Sequence, residues 1–283
     1  MGVIMKRLAI GIGVVVAACW ALASGAAATP IIQIINDANS TATFNLVGDA
    51  AAPAGLQSWK VDNREYISRQ WFWYRIGPTG PESPVDSLTL RDYGTSDSNR
   101  DSVDDTLFAS YTNTDQTLRI DLTFLLMGGE THSGMSDIAE TIKITNKGGT
   151  TLDLHFFQYC DFNLYDKGDE TVTFTNANTV TQTDGLARVA ETVVVPVPAH
   201  HEAGIVPSTL GKLNNTGATT LNDADTATGD VAWAFQWDKQ LAPGGTLLIS
   251  KDKNVVPEPA TIMLLGSGVA ALVLVRRRRR AGV

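Results

Sequence analysis

The stretch that decides the fold reads Glu140-Thr-Ile-Lys-Ile-Thr-Asn146, then Lys147-Gly-Gly149, then Leu152-Asp-Leu-His-Phe-Phe157. In its first part Ile142 and Ile144 alternate with polar neighbours, which is the period-two pattern of a strand with one buried face. The Asn-Lys-Gly-Gly sequence that follows is a turn signal. The pattern therefore predicts two strands of a half-exposed sheet that are joined as a hairpin.

Strand signals of the same kind recur along the chain and are separated by clusters of Gly, Pro, Asn and Asp. The sequence shows no amphipathic pattern that would support a helix of three turns, and no repeat of fixed period. These features predict an all-β fold, an antiparallel β-sandwich, with the large supersandwich as one form of it. The strand-like stretches are residues 31–35, 42–47, 66–76, 117–127, 141–145, 151–159, 171–175, 188–195, 230–237 and 246–250.

Charge is unevenly distributed along the chain. The 283 residues carry a formal net charge of −8, but the two ends hold a cluster of cations at Lys6, Arg7 and residues 276–280. The middle is therefore more acidic than the net charge of the whole chain suggests. Because an acidic domain repels nucleic acid, we expect no nucleic-acid partner.

The N-terminus has the three parts of a secretory signal peptide. Basic Lys6 and Arg7 precede an apolar run over residues 8–22, and small Ala26 and Ala28 stand at the −3 and −1 positions of a cleavage site. We therefore predict a signal peptide over residues 1–28 and a folded domain over residues 29–253. Cleavage after Ala26 fits almost as well.

Cys19 allows an alternative reading of the same segment. The sequence from Val16 to Cys19 resembles a lipobox, in which Cys19 would become the lipidated first residue. The apolar run continues past Cys19 to a good Ala-x-Ala site, which favours ordinary cleavage. Cys160 is then the single cysteine of the mature chain, so the sequence predicts no intrachain disulfide and a buried thiol.

The C-terminus, residues 254–283, has the pattern of a sorting and anchoring segment. Pro257-Glu-Pro259 is followed by an apolar segment over residues 260–275 and by arginines at 276–280. The apolar segment predicts a transmembrane helix whose flanking arginines can extend to the lipid headgroups. The arginines should remain in the cytoplasm, so the domain should lie outside it.

This tail resembles the PEP-CTERM sorting signal, in which a Pro-Glu-Pro motif precedes one transmembrane segment and an Arg-rich end. The resemblance implies that Pro257, Glu258 and Pro259 are recognised by an exosortase, a membrane transpeptidase-like enzyme. It also implies a Gram-negative host that makes exopolysaccharide. We therefore expect an exported protein, first anchored in the inner membrane and then found in the envelope or extracellular matrix. The resemblance does not extend to the domain in the middle.

Two aromatic strands are candidates for glycan stacking. Trp233 and Trp237 share one face of their strand with Phe235, and three rings on one face form either a sugar platform or part of the core. Trp71 and Trp73 belong to a strand that is aromatic on both faces. Such a strand is either buried on both sides or has one face open to a ligand.

A weak calcium candidate lies in the loop that contains Asp97, Asn99, Asp101 and Asp105. These residues place oxygens at the first, third, fifth and ninth positions of an EF-hand-like loop. The loop lacks the glycine of the sixth position and the bidentate glutamate of the twelfth. A solvated acidic loop is the alternative, and no other cofactor is expected.

No motif in the sequence selects a catalytic residue. His200-His201-Glu202 has no metal-ligand spacing, and there is no Gly-x-Ser-x-Gly elbow or phosphate-binding glycine loop. Paired acids for glycoside hydrolysis lie far apart in a sequence, so nothing here selects two of them. The sequence therefore predicts a non-enzymatic structural or glycan-binding surface module, with an exported polysaccharide-active hydrolase as the alternative.

Overall fold

The structure is a computed structural model, and it describes residues 29–49, 51–165 and 168–258. The predicted signal peptide and the predicted transmembrane span lie outside the described residues. The strands are β1 Ile32–Asp37, β2 Ser40–Asn45, β3 Gly55–Val61, β4 Arg64–Glu65, β5 Ile67–Ile76, β6 Ser83–Pro84, β7 Thr89–Ser96, β8 Thr106–Thr112, β9 Leu118–Gly128, β10 Ser136–Asn146, β11 Leu152–Phe162, β12 Glu170–Asn176, β13 Thr179–Thr183, β14 Ala187–Val195, β15 His200–Ile205, β16 Thr226–Gly229, β17 Val231–Leu241 and β18 Thr246–Pro257.

These strands form two nine-stranded sheets that pack face to face. Sheet A has the order β1-β2-β3-β5-β11-β17-β15, with β4 on β3 and β6 on β5. Sheet B has the order β16-β12-β13-β14-β18-β10-β9-β8-β7. Neighbouring strands are antiparallel, so the predicted all-β antiparallel sandwich is confirmed.

The predicted hairpin between β10 and β11 is wrong. Strand β10 pairs with β9 and β18 in sheet B, whereas β11 pairs with β5 and β17 in sheet A. The turn after Asn146 therefore carries the chain from one sheet to the other. Each strand has one apolar face, and packing the two sheets together buries both faces at once. The Asn146 side chain stabilises the crossing by donating to the carbonyls of Thr150 at 2.7 Å and Leu241 at 2.8 Å.

One part of the interior between the sheets is aromatic. Phe72 of sheet A stacks on Phe156 at 5.6 Å and, across the interior, on Phe124 of sheet B at 6.3 Å. Trp237 packs beside Phe156 with ring centroids 6.1 Å apart, and Phe44 packs on Phe124 at 4.6 Å. We call these five side chains the aromatic half; none is more than 1% exposed. Each aromatic pair adds about 0.5–1.5 kcal/mol beyond its burial.

Another part of the same interior is charged. Glu140, Glu191, Lys251 and Lys253 point inward from sheet B and meet Gln70 of sheet A, and none of the five is more than 2% exposed. Lys253 Nζ lies 2.8 Å from Glu140, and Lys251 Nζ lies 3.1 Å from Glu191 and in close contact with Glu140. We call these five residues the ionic centre. Its two cations and two anions balance, which is the condition for keeping charge in a dry interior.

Helical structure is scarce among the described residues. The single α-helix there, α1, spans Ser208–Leu213, and a 3-10 turn spans Val85–Ser87. No helix within the described ranges has the length and apolar character needed to cross a membrane.

Strand β18 continues into the tail. Pro257 is paired opposite Ala187, and the Glu258 backbone N–H donates to the Leu186 carbonyl at 2.9 Å. The Glu258 carboxylate also accepts a hydrogen bond from the Thr183 hydroxyl at 2.9 Å. The first two residues of the Pro-Glu-Pro sequence thus contact sheet B, while Pro259 lies outside the described residues.

Candidate functional site

The outer face of sheet A, turned away from sheet B, carries polar side chains that are aligned in rows. Antiparallel neighbours that lie directly opposite share one face of the sheet. The inner face is identified by Gln158, whose amide lies 2.7 Å from Glu191 of sheet B. Rows on the other face are Arg69–Asp161–Ala232, Trp71–Tyr159–Ala234, Trp73–Phe157–Gln236 and Arg75–His155–Asp238.

A covering segment, helix α1 and the loop after it, closes the middle of this face. The indole N–H of Trp73 donates to the Asn214 side chain at 3.1 Å, and the Leu221 backbone N–H donates to Gln236 at 2.9 Å. Lys212 of α1 forms an ion pair of 2.6 Å with Glu202 on strand β15. The loop also reaches the last row, where the Thr219 carbonyl accepts a hydrogen bond from Arg75 at 3.1 Å.

The acid end of the face consists of Arg69, Tyr159, Asp161 and Asp230. Asp161 is 8% exposed, its Oδ2 lies 3.4 Å from the Tyr159 hydroxyl, and its buried Oδ1 has no hydrogen-bond partner among the described residues. The Arg69 guanidinium lies 5.3 Å from the ring centroid of Trp73. Asp161 is thus an enclosed carboxyl, and the Ser68 side chain is a further polar neighbour that lowers its pKa.

The two carboxyl groups of the acid end interact through their charges. Asp161 is opposite Ala232, and the exposed Asp230 lies two positions before Ala232, at the residue that precedes β17. The two groups are near enough for the charge of Asp230 to raise the pKa of Asp161.

The pKa of Asp161 is raised to about 6. Burial of the carboxyl is the main cause, and the charge of Asp230 adds to it. Burial also raises the pKa of Glu170, which lies on the neighbouring strand β12 of sheet B and interacts with the same two aspartates. A carboxyl that retains its proton close to neutral pH can act as a general acid.

The histidine end of the face consists of Asp153, His155, Gln236 and Asp238. His155 Nδ1 lies 2.6 Å from Asp238, which also accepts hydrogen bonds from the Gln236 amide at 2.9 and 3.0 Å. His155 Nε2 lies 3.7 Å from Asp153 and has no hydrogen-bond partner in the part of the chain that the structure describes. His155 and Asp161 are six positions apart on one strand, about 20 Å, so the two ends cannot form one site.

The predicted glycan-stacking tryptophans are all at most 1% exposed. Trp233 and Trp237 lie between the sheets, where Trp233 stacks on Phe162 at 5.2 Å. Trp71 and Trp73 lie on the outer face of sheet A beneath the covering segment and the 3-10 turn. Their strand is thus buried on both faces, and glycan stacking at these four rings stays a prediction.

The predicted calcium loop uses most of its oxygens for its own backbone. Asp97 accepts from the N–H groups of Arg100 at 2.5 Å and Ser102 at 2.8 Å, and Asp105 accepts from Ser98. In the part of the chain that the structure describes, no group of three or more His, Cys, Asp or Glu side chains is arranged to hold a metal ion. Calcium binding by Asp97, Asn99, Asp101 and Asp105 stays a prediction.

Sequence reasoning selected neither Asp161 nor Asp230 as a catalytic residue. The pair forms because β11 and β17 become neighbours, although the two residues are far apart in the chain. The strand pattern gives one indication of a buried acid, because Asp161 continues the largely apolar strand that begins at Leu152.

Residues 255–280 match the model of the PEP-CTERM protein-sorting motif. The match includes Pro257, Glu258 and Pro259 and the arginine cluster, so the resemblance of the tail is confirmed. The motif implies an exported protein with an exosortase-type sorting signal. No curated protein is detectably similar in sequence to the chain.

The domain resembles solved structures of sugar-active enzymes in fold. It matches a bacterial glucoamylase complexed with acarbose with a TM-score of 0.52 and 9% identity, over 83% of this chain and 33% of that one. It matches a putative aldose 1-epimerase of Escherichia coli K12 with a TM-score of 0.50 and 9% identity, over 81% of this chain and 99% of that one. The chain thus spans about a third of the glucoamylase.

These likenesses correct one prediction. The domain was expected to be non-enzymatic because no catalytic motif appears in its sequence. Its fold is shared with the glucoamylase and the epimerase, so the lack of a sequence motif is no ground for excluding an enzyme. At 9% identity the likeness shows the fold alone.

Proposed function

We propose that this exported protein is a polysaccharide-active hydrolase whose site is the acid end of the outer face of sheet A. The observation that carries the proposal is the Asp161 carboxyl, which is buried, holds its proton up to a pH of about 6 and interacts with the charge of Asp230. In this proposal Asp161 donates the proton to the leaving sugar oxygen. Asp230 acts from the opposite side, as nucleophile or as base for water.

The neighbours of the pair suit these roles. The Tyr159 hydroxyl lies 3.4 Å from Asp161 and holds the carboxyl in place. Arg69 contributes a positive charge beside the pair, which balances part of the acid charge before substrate arrives. The acidic domain repels anionic polymers in general, so neutral glycans are the substrates that its charge favours.

The likeness to sugar-active enzymes supports this proposal only through the fold. The sorting tail supports it through location, because hosts of this signal make exopolysaccharide, which would be within reach of an exported hydrolase. Exopolysaccharide as substrate or partner is part of the proposal.

The test is release of reducing ends from a panel of neutral polysaccharides by the mature chain and its variants. Asp161→Asn and Asp230→Asn should each lower the rate by about 100-fold or more, since a positioned acid contributes about 10²–10⁴-fold. The rate of the unaltered chain should fall as pH rises through about 6, because Asp161 must hold its proton.

Asp121→Asn is the matched control, since this half-buried acid pairs with Arg119 at 2.7 Å on sheet B, whereas the site lies on sheet A. It should leave the rate unchanged. Full activity of Asp161→Asn would overturn the assignment. Binding of the glycans by the unaltered chain with no release of reducing ends would overturn the hydrolase proposal itself.

A further inference from the structure

The ionic centre brings an amine, a carboxamide and a carboxylate into mutual contact in a dry interior. Lys253 Nζ donates to Gln70 Oε1 and to Glu140 Oε1, the latter at 2.8 Å. Gln70 Nε2 donates to both oxygens of Glu140 at 2.8 Å. Gln70 belongs to β5 of sheet A, whereas Glu140 and Lys253 belong to sheet B.

The orientation of the Gln70 amide follows from its partners. A lysine ammonium can only donate hydrogen bonds, and a carboxylate can only accept them. The atom that faces Lys253 must therefore be the amide oxygen, and the atom that faces Glu140 must be the nitrogen. This arrangement places the amine of Lys253 against the carbonyl of Gln70, whose carbon is one bond further away.

We propose that Lys253 and Gln70 react with each other to form an isopeptide bond that links the two sheets covalently. Lys253 Nζ, after giving one proton to Glu140, attacks the Gln70 carbonyl carbon. A bond forms between Nζ and Cδ, and the bond between Cδ and Nε2 breaks. Nε2 leaves as ammonia with the two hydrogens of the amide and the proton that Glu140 took from Nζ. Glu140 then accepts a second proton from Nζ, so that the new amide nitrogen keeps one hydrogen and Glu140 ends protonated. No oxidant, reductant or cofactor is required.

Glu140 is placed to carry the proton between the two nitrogens. Its Oε1 lies 2.8 Å from the attacking nitrogen, Lys253 Nζ, and 2.8 Å from the leaving nitrogen, Gln70 Nε2. One oxygen can therefore accept a proton from the amine and deliver it to the leaving group without moving. This is the geometry that general acid–base catalysis needs.

The electrostatics of the ionic centre define its resting state. Burial opposes the charged form of Glu140, but attraction to Lys251 and Lys253 outweighs it and lowers the pKa of Glu140 to about 2. Burial likewise opposes the charged form of Lys253, but attraction to neighbours that include Glu140 and Glu191 outweighs it and raises the pKa of Lys253. The resting state is therefore an ion pair, and the transfer of a proton from Lys253 to Glu140 is the uphill step of the reaction. Lys251 and Glu191 remain paired at 3.1 Å, so the centre stays balanced after ammonia has left.

Lys251 is a natural internal control for Lys253. It is equally buried, and its Nζ contacts carboxylate oxygens of Glu140 and Glu191 instead of an amide carbonyl. Its partners can accept a proton, but none of them is an amide whose carbonyl carbon the amine could attack. The proposal therefore assigns the bond to Lys253 and not to Lys251.

The experiment measures the intact mass of the mature chain, purified from the membrane fraction and then denatured and reduced. The unaltered chain should be lighter than its sequence by the mass of one ammonia molecule. Trypsin digestion should give a branched peptide that joins the segment of Gln70 to that of Lys253, with no cleavage after Lys253. Lys253→Arg and Glu140→Gln should restore the full mass, whereas Lys251→Arg should retain the loss.

A full mass together with trypsin cleavage after Lys253 would overturn the proposal. This measurement needs only the unaltered chain, so it decides the question even where a variant fails to fold. A second source of ammonia loss must be separated, because Gln158 Nε2 lies 2.9 Å from the Cys160 sulfur. A thioester between these two would block the thiol and open with hydroxylamine, and mapping the loss to that pair would also overturn the proposal.

Discussion

The aromatic half and the ionic centre lie between the same two sheets and are equally buried, but they are built from opposite chemistry. The rings of the aromatic half gain from burial in any well-packed arrangement. The charges of the ionic centre lose several kcal/mol each when they leave water, and only a complete set of partners offsets that loss. The comparison teaches that equal burial does not mean equal tolerance to change.

The largest expected effect is the loss of one charge from the ionic centre. Lys251→Met keeps the length of the side chain and leaves Glu140 and Glu191 with one cation too few. We expect a loss of about 3–5 kcal/mol in the free energy of unfolding, the usual cost of an unpaired buried charge. Urea unfolding followed by circular dichroism measures it.

The matched change in the aromatic half is Phe72→Met. It inserts the same residue type at the same depth, but it removes no charge. The loss of the stackings of Phe72 on Phe156 and Phe124 should cost about 1–3 kcal/mol. Equal losses in the two variants would contradict the comparison, because they would show that packing and not charge balance decides stability in both regions.

The strand pattern predicted the buried apolar residues of the interior better than the ionic centre. Alternation placed Ile142 and Ile144 on one face, and both are at most 1% exposed. Glu140 has the same phase, yet a charged residue in a strand is normally taken as solvated. Lys251 and Lys253 share the phase of Ile249 in the same way. The alternation was visible in the sequence, but only the burial of these residues together between two sheets shows which partners compensate their charges.

Topology was the other part that local pattern could not supply. A turn signal indicates that the chain reverses direction. It does not indicate whether the next strand joins the same sheet or the other sheet. The polar edge strand β7, which contains Arg91 and Asp92, has no alternation and was missed for that reason. The acid pair of Asp161 and Asp230 depends on the same long-range pairing. The sequence therefore contains both residues but does not show that they come together.

A second prediction contrasts the ionic centre with the acid end of the outer face. The pKa of Asp161 is raised in the folded state to about 6, so its contribution to stability is greatest at low pH and is lost as pH rises through about 6. The shift corresponds to about 2–3 kcal/mol between pH 4 and pH 7. Asp161→Asn removes this dependence, so the variant should gain that amount relative to the unaltered chain over the same interval.

Urea unfolding at several pH values tests this sign. Glu140 has the opposite behaviour. Its pKa is lowered from 4.5 to about 2, so its contribution to stability is lost as the pH falls from 4.5 towards 2. Parallel stability curves for Asp161→Asn and the unaltered chain between pH 4 and pH 7 would show that Asp161 is not a buried acid with a raised pKa.

Substitution of Glu258 should have the smallest effect on stability. Its effect on sorting should be large. The Glu258 carboxylate accepts one hydrogen bond from Thr183, while its backbone N–H remains bonded to Leu186 in any variant. Glu258→Ala should therefore change the free energy of unfolding by no more than about 0.5 kcal/mol, as expected for a surface site. If the Pro-Glu-Pro sequence is read by an exosortase, the same variant should accumulate as full-length protein in the inner membrane. Fractionation and immunoblotting in a host with an exosortase measure this.

Thr183→Val separates the two roles of Glu258. It removes the same hydrogen bond from the sheet but leaves the carboxylate in place, so processing should proceed as in the unaltered chain. If Thr183→Val also blocks processing, then seating of the tail on sheet B, and not recognition of the glutamate, is what the enzyme requires. If neither variant changes the size or location of the protein, Glu258 has no part in sorting. Since the stability of both variants should be nearly unchanged, a block in processing cannot be attributed to a damaged sandwich.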